Sequence, residues 1–198
     1  MIGAAAGGLG SGVIGHQSGS TTKGVLIGAV LGGAGGAGGA GGAGIGSQMD
    51  KQAEELKQNI PGATVERMGE GIRVTCDSGV LFDSGSSVLL GGARHNMDQL
   101  ATSLTCYPNT TLLIIGPTDN VGSPDANMNL SLRRSETVAH SLTPQGVQRP
   151  IATRGMGETE PVASNETSDG RQSNRRVEVA IDASDKYAQG ACRQGGGQ

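Results

Sequence analysis

The residues best placed to do chemistry lie in the run GPTDNVGSPDANMNLSLRRSETV, from Gly116 to Val138. Ser123 followed by Pro124 marks a helix start, with the serine as N-cap and the proline at the first helical position. At about 100° per residue, Leu130, Val138 and Leu142 form a stripe that should face a core. Asn127, Ser131 and Arg134 fall inside that stripe, whereas Arg133 points elsewhere. A guanidinium on a core-facing stripe needs a partner, because an unpaired buried charge costs several kcal/mol. Asp119, just ahead of the helix, is the natural one. Two arrangements would satisfy both groups: an internal ion pair that fixes the loop, or a carboxylate and a guanidinium held apart as a clamp for a ligand.

Other chemistries lack their patterns. Cys76, Cys106 and Cys192 show no CxxC, and His16, His95 and His140 are scattered, so no metal site is expected. Cys76 closes an expected strand and Cys106 an expected helix, and spacing leaves open whether they pair or remain thiols. No nucleophile and base share a motif, and no carboxylate pair suits glycoside hydrolysis, so neither an enzyme nor a cofactor is expected. Gly10, Gly12 and Gly15 match GxGxxG, yet no strand precedes them and no acidic residue follows about 20 positions later. Lys23 lacks the spacing of a phosphate-cradling loop. A formal charge of −3 gives no reason to expect nucleic-acid binding.

The elements that must position these residues follow from periodicity and punctuation. Of 36 glycines, 19 lie in the first 46 residues, so two materials are joined in one chain of 198 residues. Gly24 to Gly46 is uncharged and long enough to cross a bilayer, with Gly24, Gly28, Gly32 and Gly36 on one helical row. The GGA triplets that follow weaken helix propensity, so a flexible tether is the competing reading. Residues 49–60 read as a short connecting helix, with Met49, Ala53 and Leu56 on one face. A hairpin is expected around Gly69 to Gly71, and Val80 to Asp83 should extend the sheet edge. Met97, Leu100, Ala101 and Leu104 have helical spacing, ended by Tyr107, Pro108 and Asn109. Thr110 to Ile115 is apolar on both faces, as a central strand would be. The helix from Pro124 to about Leu142 comes next, then strands at Ile151 to Arg154 and Arg175 to Ile181. Strands alternating with helices predict an α/β fold, a two-layer sandwich with helices packed on a mixed sheet. Residues 184–198 read as a disordered tail.

Together with GMGETEPVASNETSDGRQSNRRVEVAI, from Gly155 to Ile181, the run from Gly116 to Val138 resembles the OmpA-like peptidoglycan-binding domain family. The motif G-x-T-D-x-x-G, then N-x-x-L-S-x-x-R, then G-x-G, a proline, G-R and N-R-R-V-E is present in order, within Val65 to Ile181. Pro117 stands where the family usually has His or Tyr, and Ser135 where Ala is usual. The glycine-rich residues 1–48 are similar to the glycine-zipper region of outer-membrane lipoproteins of this family, although no lipobox cysteine or signal peptide precedes them.

The resemblance implies a βαβαβ-type domain at residues 61–183 that binds the diaminopimelate-containing stem peptide of peptidoglycan. It implies a place in the bacterial cell envelope, at the outer membrane facing the periplasm. The family's acidic and basic anchors fall on Asp119 and Arg134, with Asn127 as a neutral amide on the same helix face. An amino-acid end group carries an ammonium and a carboxylate a few ångströms apart, which one carboxylate and one guanidinium can clamp. Arg176 is the expected second cationic contact, with Asn174 and Arg175 structural, and Thr118 and Gly122 complete a rim at the helix start. Expected partners are peptidoglycan, the outer membrane through the glycine-rich segment, and a further copy of the chain. The competing function is a membrane-inserting, self-associating glycine protein with the globular domain as a passive anchor.

Overall fold

In the computed structural model, which describes residues 42–69 and 71–183, five strands form one mixed sheet. They are β1 (Ala63–Met68), β2 (Gly71–Asp77), β3 (Thr110–Ile115), β4 (Ile151–Arg154) and β5 (Arg176–Ala183), in the spatial order β1-β2-β5-β3-β4. The helices are α1 (Gly42–Asn59), α2 (Ser78–Leu81), α3 (Gly91–Cys106), α4 (Pro124–Leu142) and α5 (Ser168–Asn174). The glycine row from Gly24 to Gly36 and the tail after Ala183 lie outside the described residues.

The hairpin forms as expected, with Val65 opposite Val74 and Met68 opposite Gly71. Strands β3 and β4 are parallel, joined through α4, while β5 inserts antiparallel between β2 and β3. Alternate strand residues, among them Val65, Val74, Leu112, Ile114, Val177, Val179 and Ile181, share one core with side chains of α1, α3 and α4. The helices therefore cover that face of the sheet, as a two-layer sandwich requires. Leu113 and Ile115 point the other way and join Met156 and Ala180 in a second small cluster, which accounts for the doubly apolar TTLLII.

Helix α4 is built as its sequence dictates. Ser123 Oγ accepts the Ala126 amide at 3.3 Å, Pro124 opens the first turn, and Asn127, Ser131, Arg134, Val138 and Leu142 are buried along one stripe.

Elsewhere the structure departs from the expectations. Val80 to Asp83 does not extend the sheet edge: Asp77 Oδ1 caps the Gly79 amide at 2.7 Å and turns residues 78–81 into α2, leaving only a Phe82 to Leu89 bridge. The connecting helix is no mere connector. It begins at Gly42, and Met49, Ala53, Leu56 and Ile60 are at most 1% exposed within the main core. Helix α5, capped by Thr167 Oγ1 on the Gly170 amide at 3.1 Å, was hidden in a polar stretch, and β5 runs from Arg176 to Ala183. Cys76 and Cys106 are both thiols, and burial pushes the Cys76 pKa up to about 11. No described helix is long and apolar enough to cross a membrane.

Candidate ligand-binding site

The site grows from the meeting of the carboxyl end of β3 with the start of β5. Ile115 stands opposite Glu178, and counting on along the antiparallel pair brings Thr118 level with Arg175. The Arg176 amide confirms the approach by donating to Pro117 O at 3.3 Å. As a result Arg175 Nη1 donates to Asp119 Oδ2 at 2.6 Å, and Asp119 Oδ1 accepts the Val121 amide at 3.1 Å. The ion-pair partner of Asp119 is thus Arg175, not Arg134. Thr118 is buried, with its hydroxyl donating to Asp119 O at 2.9 Å and its amide to Gly157 O at 2.7 Å.

Helix α4 crosses the end of β3 at Gly116, where an added Cβ would lie 2.9 Å from Ser131 O and 3.4 Å from Arg134 Cβ. That close approach requires glycine and sets the root of Arg134 beside the β3 exit. Arg134 Nε donates to Ser86 O at 2.9 Å and Nη2 to Asp83 O at 3.4 Å, and the guanidinium lies 5.2 Å from the centre of the Phe82 ring. Burial lowers its pKa, nearby Arg175 lowers it further, and Asp119 opposes both. Arg134, Arg175 and Asp119 therefore share one electrostatic neighbourhood, although the hydrogen-bond partners of Arg134 are neutral carbonyls.

Two turns earlier on the same face, Asn127 Nδ2 donates to Asp119 O at 3.3 Å and to Glu158 Oε2 at 2.7 Å. Glu158 arrives on the G-x-G loop. A Cβ on Gly155 would meet Met128 O at 2.9 Å, and Gly157 sits at φ +52° against the Met128 amide, so both glycines let the loop lie on α4. The Met156 amide fastens it by donating to Ser131 Oγ at 2.7 Å. Gly122, at φ +108°, turns the chain into α4 beside Asn127, since its Cβ position lies 3.7 Å from Asn127 Oδ1.

The N-R-R run divides its labour differently from expectation. Asn174 is fully buried and holds the loop before α5, accepting the Val162 and Ala163 amides and donating to Ala163 O. Arg176, expected as the second cationic contact, is buried and pairs with buried Glu178 at 2.6 Å, with further bonds to Glu160 O and Asn174 O. Arg175, expected to be structural, is the half-exposed cation that faces Asp119. The site thus brings together Thr118, Asp119, Gly122, Asn127 and Arg134 with Arg175 and Glu158, and turns Arg176 inward. Neither Arg175 nor Glu158 carries a local signal, because each is delivered by long-range pairing. Among the described residues no group of His, Cys, Asp or Glu could hold a metal ion.

Comparison with known proteins finds relatives of this domain. The family model described as "OmpA family" matches residues 81–175. The chain is 38% identical over 140 residues to "Probable lipoprotein YiaD" of Escherichia coli (strain K12), covering 69% of this chain and 64% of that protein. It is 37% identical over 103 residues to "Peptidoglycan-binding protein ArfA" of Mycobacterium bovis, covering 52% of this chain and 32% of that protein. The match therefore spans less than two thirds of either relative's length. Among solved structures, the cell wall anchor of the T6SS from Pseudomonas aeruginosa superposes with a TM-score of 0.59 at 28% identity, covering 68% of this chain and 96% of that one.

Proposed function

Because the chain belongs to the OmpA family, we propose that it binds peptidoglycan non-covalently, through the diaminopimelate-containing stem peptide, and so links the outer membrane to the cell wall. The observation that carries this reading is the gathering of Asp119, Arg134 and Arg175 where β3, β5 and α4 meet. The free end of diaminopimelate bears an ammonium and a carboxylate, and a set of carboxylates and guanidinium forks on rigid elements complements both. Asn127 and Thr118 are buried behind Asp119 and position it, Gly122 shapes the rim, and Arg175 replaces Arg176 as the second cationic contact. Binding without catalysis is the activity proposed, and the names of ArfA and of the cell wall anchor support it. The glycine-rich segment ahead of Gly42 would place the domain at the outer membrane, alone or with a second copy.

Co-sedimentation with purified sacculi tests this reading. The full chain and a chain beginning at Gly42 should both pellet with sacculi. Pelleting only when residues 1–41 are present, or not at all, would favour the self-associating membrane protein with a passive domain.

A further inference from the structure

The three cysteines have different surroundings, and the fold decides which two can meet. Cys76 lies on the core face of β2, where burial holds its thiol protonated. Cys106 closes α3 at the rim of the core and is half-buried. The segment around Cys106 is firmly held: the Tyr107 amide donates to Ser103 O at 3.2 Å, Thr110 Oγ1 donates to Tyr107 O at 3.2 Å, and the Arg149 guanidinium donates to the carbonyls of Leu104 and Tyr107. Thr110 opens β3, and its partner across the antiparallel pair is Ala183, the last residue of β5. The chain therefore leaves the sheet next to the turn that carries Cys106. Cys106 lies four residues before Thr110, so at most about 14 Å of chain and one strand spacing of about 5 Å separate it from Ala183. Cys192, outside the described residues, follows nine residues after Ala183, and nine residues span up to about 30 Å. Cys76 is placed otherwise. It stands opposite Val177, six residues back along β5 and about 20 Å from that exit, whereas a disulfide needs Cα atoms within about 7 Å. Cys76 and Cys106 thus cannot pair.

We propose that Cys106 and Cys192 form a disulfide that staples the chain beyond β5 to the end of α3, while Cys76 stays a buried thiol. The oxidant is a second disulfide, such as a small-molecule disulfide or a disulfide-bonded oxidase. One cysteine thiolate attacks it and releases one thiol, and the other thiolate then attacks the mixed disulfide and releases the second. The two cysteines lose two protons and two electrons, and the oxidant leaves as two thiols. The cell envelope proposed above is a compartment where such oxidants act, but the choice of partners follows from the geometry of this chain alone. The bond closes a loop that contains β3, α4, β4, α5 and β5. It restricts the unfolded chain and so stabilises the half of the domain that carries the candidate site.

Peptide mapping of the full chain tests the pairing. The reduced protein is incubated with oxidised glutathione, alkylated, and digested with trypsin without reduction. The expected product joins the tryptic peptide 95–133, which holds Cys106, to the peptide 187–193, which holds Cys192. Peptide 74–94, which holds Cys76, should carry the one alkylated thiol when alkylation follows unfolding, and the protein should run as a monomer on a non-reducing gel. The oxidised chain should melt about 5 °C or more above the reduced one. Cys192→Ser lies outside the described core, so the variant should fold, and it should lose both the linked peptide and the difference between oxidised and reduced melts. A linked peptide that contains Cys76, glutathione retained on Cys106 of the wild type, a bond between Cys192 residues of two chains, or three alkylated thiols after oxidation would overturn the assignment. None of these readouts uses peptidoglycan, so their failure is distinct from a failure to pellet with sacculi.

Discussion

Arg175 and Arg176 are adjacent in the chain and have opposite surroundings, which gives them opposite expected phenotypes. Arg176 and Glu178 are both under 10% exposed and bonded to each other, so Arg176→Ala leaves a buried carboxylate unpaired. The cost should be about 3–5 kcal/mol, a large part of the stability of a small domain. Arg175 is 38% exposed and covers an Asp119 side chain that is 10% exposed, so Arg175→Ala opens that carboxylate to water and should cost less than Arg176→Ala, on the order of 1–2 kcal/mol. Its expected effect is on binding, with muropeptide affinity falling tenfold or more. Urea denaturation and titration of both variants check this, and a destabilised Arg175→Ala beside a stable Arg176→Ala would reverse the assignment. The motif alone could not separate the two. Which arginine faces Asp119 depends on β5 lying beside β3, a pairing across some sixty residues that no local pattern encodes. Arg134 was legible from its helical stripe, but its partners Ser86 and Asp83 come from a loop far earlier in the chain.

At the scale of elements, α1 carries the sharpest consequence. Met49, Leu56 and Ile60 are buried against α3 and the sheet, and each such side chain contributes about 1.5–3 kcal/mol. Removing them takes away an amount comparable to a domain's entire stability. A chain beginning at Gly42 should therefore unfold cooperatively, whereas one beginning at Pro61 should show no cooperative transition in calorimetry. Equal transitions for the two would show that α1 is only a connector. Its apolar face was readable from Met49, Ala53 and Leu56, but its burial was not, since a spacing of three to four residues does not say what covers the stripe. The strand β3 and the helix α4 were legible to their ends because their signals are local: an apolar run, an N-cap serine and a proline at the first turn. Helices α2 and α5 were not, because four and seven residues are too short to show a period and both are set by single caps, Asp77 and Thr167.

At the scale of the molecule, the fold explains why a site should exist at this edge. Inserting β5 between β2 and β3 brings an arginine pair to the carboxyl end of β3, and the α4 crossover brings Asn127 and Arg134 to the same place. Open α/β sheets commonly bind ligands at such strand ends. The central claim is that these charges form a clamp for the stem peptide and do not merely fix the loop. Asp119→Asn and Arg134→Lys separate the two, since both keep side-chain volume while one removes the charge and the other the planar fork. The deciding measurement is calorimetric titration of a diaminopimelate muropeptide into the full chain and these two variants, with thermal melts alongside. The account predicts saturable one-to-one binding by the wild type and at least tenfold weaker binding by both variants, each melting within a few degrees of the wild type. Folded variants that bind as tightly as the wild type would contradict it.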